Sequence, residues 1–272
     1  MTSFYKLSGS GNDFLALTEP AETPAAAAIQ AWCRRRVSLG ADGLFVLRRQ
    51  GDAVGMEYFN ADGFSADLCL NGTRCAAQLA FHLGWAEESI VVQTAAGEIA
   101  ARRLDERRVA LELSVALREP EPRSLEVEAR TWNGYFVILG VPHFVIPLEP
   151  GDPELSDLPV ERLGRTLRFD PAFAPEGANV DFVRYLGPDR LAIRTYERGV
   201  EGETLSCGTG VLAAAVVGVA LGRCRLPACV ETQSGFELEV AGGGGPGRWV
   251  LSGDARLVAK GELLAGAAPE GK

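Results

Sequence analysis

The sequence predicts an α/β (α+β) fold of two pseudo-symmetric domains, each a curled, mostly antiparallel sheet around a buried central helix. Three observations carry this expectation: an internal duplication, an apolar helix pattern just after one cysteine of each half, and strand-like runs flanking each helix. The duplication is visible in the residues themselves. Tyr58-Phe59-Asn60, then Ala66-Asp67-Leu68-Cys69-Leu70-Asn71-Gly72-Thr73, runs on to Leu83-Gly84. Its counterpart is Tyr196-Glu197-Arg198, then Glu203-Thr204-Leu205-Ser206-Cys207-Gly208-Thr209-Gly210, running on to Leu221-Gly222. Cys69 and Cys207 lie 138 positions apart, as do Leu83 and Leu221, Thr94 and Thr232, and Gly97 and Gly235. Upstream, Gly40-Ala41-Asp42 and Gly177-Ala178-Asn179 align at 137. A repeat of this length implies two like domains, placed at residues 1–118 and 119–254, with residues from about 255 to 272 returning to the first. Pseudo-symmetry is expected to set the two cysteines facing each other across an interdomain cleft that holds the active site. That geometry suits a reaction in which a proton leaves one face of a carbon and returns on the other.

The elements follow in order. Ala53–Asn60 reads as a strand, rich in residues that favour a pleated surface. Asn71-Gly72-Thr73 then offers turn and N-cap chemistry, and a helix is expected over about 73–84. Strands are expected at Ser89–Thr94 and Glu98–Ala101. Residues 117–124, with Pro120 and Pro122 among charges, read as the interdomain link. The second half repeats the pattern, with a strand over Arg190–Glu197, a turn at Gly208-Thr209-Gly210 and a helix over about 209–222. This helix is apolar almost all round, so protein must wrap it on every side; strands at Cys229–Thr232 and Phe236–Val240 are available to do so. The glycine run from Gly242 to Gly247 is most simply a hairpin connection, and the tail after about Leu264 is expected to fray.

Composition excludes several function classes. The 272 residues are 47% hydrophobic and 23% charged, ordinary globular material with ample substance for two cores. The net charge of −9 argues against nucleic acid or an anionic membrane surface as a partner. Residues Val211–Leu221, the most apolar stretch, are too few to span a bilayer. Met1-Thr2-Ser3-Phe4-Tyr5-Lys6 lacks the apolar core of a signal peptide, so a cytoplasmic setting is expected. Six cysteines in such a setting should be thiols. With two histidines, His82 and His143, and neither CxxC nor HExxH, no metal site is expected.

A thiol just ahead of a helix feels unpaired N–H groups and the positive end of the helix dipole, which should lower its pKa from about 8.5. Cys69 and Cys207 both fit that description, and the same N–H groups form a receptor for a carboxylate. Leu70-Asn71 would supply it in one half and Gly208-Thr209 in the other. Cys33, Cys75, Cys224 and Cys229 read instead as small structural hydrophobes.

Together, Gly11-Asn12-Asp13-Phe14, Asn60-Ala61-Asp62-Gly63, Cys69-Leu70-Asn71-Gly72-Thr73-Arg74-Cys75, Ala178-Asn179, Tyr196-Glu197-Arg198-Gly199 and Glu203 to Gly210 resemble the diaminopimelate epimerase family. The resemblance covers roughly residues 4–260. The piece Cys207-Gly208-Thr209-Gly210 also resembles the proline racemases, which share the fold. The resemblance implies an isomerase that needs neither pyridoxal phosphate nor metal, with Cys69 and Cys207 as the acid–base pair. It implies that Asn71, Gly208 and Thr209, with the backbone of Leu70, hold the reacting carboxylate. Asn12, Asn60, Asn179, Glu197 and Arg198 would hold the rest of the substrate, an amino acid with two carboxylates, and Arg198 would pair with the distal one. His143 and Glu197 would modulate the thiols, whereas Asp13 reads as structural. A homodimer is compatible with the family; the sequence itself does not set the oligomeric state.

Two departures stand out. The residue after the first family cysteine is normally glycine, here Leu70, and the family's Gly-Asn-Pro-His segment reads Gly140-Val141-Pro142-His143. The other readings are a racemase of another amino acid (histidine, proline or hydroxyproline type), a thiol redox protein or sensor using the same two cysteines, and a non-catalytic binding protein. Gly9-Ser10-Gly11 lacks the third glycine and the helix of a nucleotide-binding loop.

Overall fold

A computed structural model describes residues 2–115, 119–264 and 267. The chain forms two compact units, residues 1–112 with 252–272, and residues 113–251.

In the first unit, strands β1 (Thr2–Gly9) and β2 (Asn12–Thr18) are antiparallel, β2 and β3 (Gly43–Gln50) parallel, and β3 and β4 (Ala53–Asn60) antiparallel. Strand β4 then runs parallel to β5 (Ser89–Thr94), and β5 antiparallel to β6 (Gly97–Arg103), which pairs antiparallel with β7 (Arg108–Ser114). Parallel neighbours cannot be joined by a tight turn and need a crossover. Helix α1 (Ala26–Cys33) is the crossover between β2 and β3, and α2 (Leu70–His82) that between β4 and β5.

The second unit begins with strand β8 (Glu121–Val127) antiparallel to β9 (Arg130–Leu139). It then repeats the series of orientations. Strands β9 and β10 (Val141–Pro147) are antiparallel, β10 and β11 (Asn179–Gly187) parallel, and β11 and β12 (Arg190–Glu197) antiparallel. The short β13 (Gly202–Thr204) pairs with β12, which runs parallel to β14 (Ala228–Glu231), itself antiparallel to β15 (Glu237–Gly242). Crossovers are again helical: α3 (Val160–Arg168) and α4 (Gly208–Ala220). Strand β16 (Arg248–Asp254) follows the glycine run, closed by Gly243 N–H to Arg248 O. The duplication read from the residues is thus a duplication of pairing order.

Helices α2 and α4 are the cores of their units. Every residue from Leu70 to Phe81 is buried, and so is every residue from Gly210 to Gly218. Helix α4 touches β9, β10, β11, β12, β14 and β15, and α2 touches β1 to β6 and β17 (Arg256–Leu263). Each buried Val or Leu of α4, all but the exposed Val219, stabilises the unit by about 1.5–3 kcal/mol. Both helices end alike, with Gly84 and Gly222 at positive φ (70° and 67°). Trp85 N–H bonds to Ala80 O, and Arg223 N–H to Gly218 O, the 6→1 bonds of a Schellman cap.

Two expectations are corrected. The helices begin at Leu70 and Gly208, so the cysteines themselves are the N-caps and Asn71-Gly72-Thr73 forms the first buried turn. The Thr73 hydroxyl, read as a cap, instead donates back to Cys69 O at 2.9 Å. Of the expected link at 117–124, residues 117–118 lie outside the described residues, and the chain is already strand from Glu121. The tail beyond Leu264, apart from Ala267, also lies outside them. No helix among the described residues is long and apolar enough to cross a membrane.

Candidate active site

In the first unit, Cys69 caps α2 in extended conformation (φ −137°), and its Sγ accepts the Gly72 N–H at 3.4 Å. Behind it runs a one-directional chain of amides. Asn71 Nδ2 donates to Asn12 Oδ1 at 2.7 Å, and Asn12 Nδ2 donates to Asp42 Oδ2 at 3.1 Å. Arg74 Nη2 donates to Asn71 Oδ1 at 2.7 Å, which fixes which end of that amide faces Asn12. Asp42 is anchored by Arg35, which also pairs with Asp13; Asp13 pairs with Lys6 too. Asn12 and Asn71 therefore belong to one network with the cysteine turn. Among the described residues the Asn60 side chain makes no hydrogen bond, and Asn60 sits half-buried at the end of β4. Leu70 is buried at the head of α2.

In the second unit, Cys207 caps α4 (φ −112°) with its Sγ 3.4 Å from Thr209 Oγ1. Strand alternation brings the rest together. Asn179 and Asp181 project from one face of β11, Thr195 and Glu197 from β12, and Asp181 sits directly across from Thr195 in register. Asp181 is fully buried. One carboxylate oxygen accepts the Thr195 hydroxyl at 2.7 Å, and the other lies 2.7 Å from His143 Nδ1. Since a carboxylate only accepts, Nδ1 carries the ring proton and Nε2 faces Asn179 Nδ2 at 3.5 Å. Asn179 in turn accepts Arg198 N–H at 2.7 Å and donates to Pro142 O at 3.0 Å. The Arg198 guanidinium reaches Glu176 at 3.2 Å across a largely exposed pair. Asp181 and Thr195 were missed at the sequence level. Their signal was period-two polarity inside two apolar strands.

The electrostatics of this half correct one expectation. Burial pushes the Cys207 thiol well above its ordinary range, and the Glu197 and Asp181 carboxylates push the same way. The Thr209 hydroxyl and Gly210 N–H oppose them without prevailing. The helix terminus therefore does not bring this thiol below its ordinary range. Burial raises Glu197 too, aided by Asp181 and opposed by the Thr204 hydroxyl, His143 and the Cys207 thiol beside it. The site thus gathers a desolvated acid, a thiol pushed toward its protonated form and an imidazole oriented by Asp181.

The model of the diaminopimelate epimerase family matches residues 4–115 and 135–258. The chain belongs to that family. It is 39% identical to the diaminopimelate epimerase of Hydrogenobaculum sp. (strain Y04AAS1) over 80% of this chain and 82% of that one. It is 36% identical to the diaminopimelate epimerase of Aquifex aeolicus, over 87% and 88%. As a family member the chain is an isomerase. Solved structures share the fold at low identity. A probable proline racemase from Agrobacterium radiobacter K84 superposes with TM-score 0.71 at 16% identity, covering 99% of this chain and 95% of that one. A hydroxyproline epimerase from Agrobacterium vitis gives 0.67 at 15%, covering 96% and 91%. The family reading and the α/β fold expected from the residues are both borne out.

Proposed function

We propose that the chain interconverts L,L- and meso-diaminopimelate by two-thiol proton transfer at Cα. The observation that carries the proposal is the pair of thiols each capping a buried helix, at equivalent places of a duplicated unit. One cysteine, as thiolate, takes the α-proton from one face of the carbon, breaking C–H and forming S–H. The opposing thiol gives its proton to the other face, breaking S–H and forming the new C–H. Charge balances, and the two sulfurs exchange protonation states in each turnover. The carbanionic intermediate needs its carboxylate held, and the first-turn N–H groups of α2 and α4 (Asn71, Gly208, Thr209, with the Leu70 backbone) are suited to that. Asn12, Asn60, Asn179, Glu197 and Arg198 take the remainder of the substrate, with His143 and Glu197 tuning Cys207. The setting is the cytoplasm, where such thiols stay reduced.

The test is incubation of the metal-free protein with L,L-diaminopimelate in deuterated water. Appearance of the meso isomer with deuterium at Cα is expected. Absence of both, with racemisation of a mono-carboxylate amino acid instead, would favour the alternative racemase reading, to which Leu70 and Val141 give some support. Activity that instead depends on disulfide exchange with a reductase would favour a redox protein.

A further inference from the structure

Arg74 is an anomaly of the first unit. It lies in the middle of buried α2 and is fully inaccessible. Its Nε donates to the Asp254 carbonyl at 3.3 Å, and its Nη2 donates to Ser10 Oγ at 3.0 Å and Asn71 Oδ1 at 2.7 Å. Nη1 is buried and has no partner. Among the described residues, no carboxylate forms an ion pair with the guanidinium. Asp254, the acid that acts on it, spends one carboxylate oxygen on Ser10 N–H and the other on Arg256. A buried charge without a counter-charge costs several kcal/mol. The scaffold does not demand it either, since the 138-residue offset puts buried Leu212 at the same place in α4.

The chain therefore maintains a cation under one cysteine turn and carboxylates, Glu197 and Asp181, around the other. We propose that Arg74 is the buried counter-charge of Cys69, making Cys69 the thiol of the pair that is ionised in the ligand-free protein. In the same pose it orients the Asn71–Asn12 amide chain. Arg74 is thus a positioning residue, acting through Cys69 and Asn71. Burial lowers its own pKa to about 10, with Cys75, Cys69 and Asp254 opposing, so it keeps its charge at neutral pH. The groups that act on Arg74 are Cys75 and Cys69 on α2 and Asp254, and Arg256 acts on Cys75 as well. Cys75 cannot be the anion, because burial drives its thiol far up.

The inference rests on the two-thiol reading, but its test needs no substrate. The rate of iodoacetamide alkylation at Cys69 and at Cys207 is followed against pH by peptide mapping in the ligand-free protein. The midpoint of each profile is compared, not its absolute rate, because the two thiols differ in exposure. Wild type should show a Cys69 midpoint below the ordinary thiol value of about 8.5 and a Cys207 midpoint above it. Arg74→Met should raise the Cys69 midpoint by at least one unit, about tenfold in rate at neutral pH. It should leave Cys207 unmoved, and Arg74→Lys should largely restore wild-type behaviour. Equal Cys69 midpoints in wild type and folded Arg74→Met would overturn the inference. If Arg74→Met does not fold by circular dichroism, Arg74→Gln takes its place. A wild-type Cys69 midpoint at or above about 8.5 overturns the inference without any variant. A protein that turns over diaminopimelate while its Cys69 profile ignores Arg74 loses this inference and keeps its function. The opposite pair of results does the reverse.

Discussion

At the residue scale, the two thiols occupy equivalent caps in unlike surroundings, and the substitutions that matter follow from that. Cys69→Ala or Cys207→Ala should each remove epimerisation by about 10²–10⁴-fold or more, since in the proposed mechanism each thiol handles a proton in both directions. Circular dichroism should show the fold retained, and near-wild-type turnover by either variant would sink the mechanism. Glu197→Gln removes a carboxylate that holds the Cys207 proton, so the alkylation midpoint of Cys207 should move down while turnover falls. An unchanged midpoint would leave burial and Asp181 as the cause. Arg198→Ala should cost roughly 1.5–3 kcal/mol in kcat/KM if it receives a distal carboxylate. Val141→Ala should cost much less, as neither side chain can hydrogen-bond. The cysteines, asparagines, His143, Glu197 and Arg198 of the proposed site were read from motif spacing. Asp181 was not, because one acid in an apolar strand looks the same whether it faces solvent or a histidine. The raised Cys207 thiol was also misjudged. Sequence gives the helix terminus, but only packing gives the burial and the carboxylates that outweigh it.

At the scale of single elements, α2 and α4 were legible as apolar helices following cysteine turns, and Gly84 and Gly222 were visible as their ends. The helices α1 and α3 and the strands they connect were not. Parallel pairs such as Phe144 with Val180 join residues far apart along the chain, and local pattern does not report such partners. Gly84 and Gly222 have open space where a side chain would go, so substitution to alanine should cost only the left-handed backbone, about 1–2 kcal/mol each. Gly210→Ala is a different case. The new methyl would stand 2.5 Å from Asp181 Oδ1 and 3.2 Å from Thr195 Oγ1, within the pair that orients His143. It should depress activity more than thermal stability. Equal loss of Tm in Gly84→Ala and Gly210→Ala, with activity spared in both, would contradict that distinction.

At the scale of the whole molecule, buried thiols make stability depend on alkaline pH. Burial raises the Cys33 thiol to about 11, and Cys75 further still. The native protein keeps these protons at a pH where the unfolded chain has released them. The Cys33 contribution is full below about 9 and is lost as the pH rises through about 11, while that of Cys75 goes on falling at higher pH. Each group contributes at most about 1.4 kcal/mol per pH unit in that window. Tm measured against pH should fall there, and less steeply in Cys33→Ala. A parallel fall in wild type and variant would exclude Cys33 as the source. The chain order of the two units carries a further consequence. Residues 113–251 are contiguous, whereas the first unit lacks strand β17, which pairs with β1, until the chain has returned past residue 252. Ser10 N–H and the Arg74 guanidinium likewise wait for Asp254. During synthesis the half made second can therefore close before the half begun first, and a nascent chain stalled near residue 251 should resist protease over 121–251 while residues 2–112 are still cut.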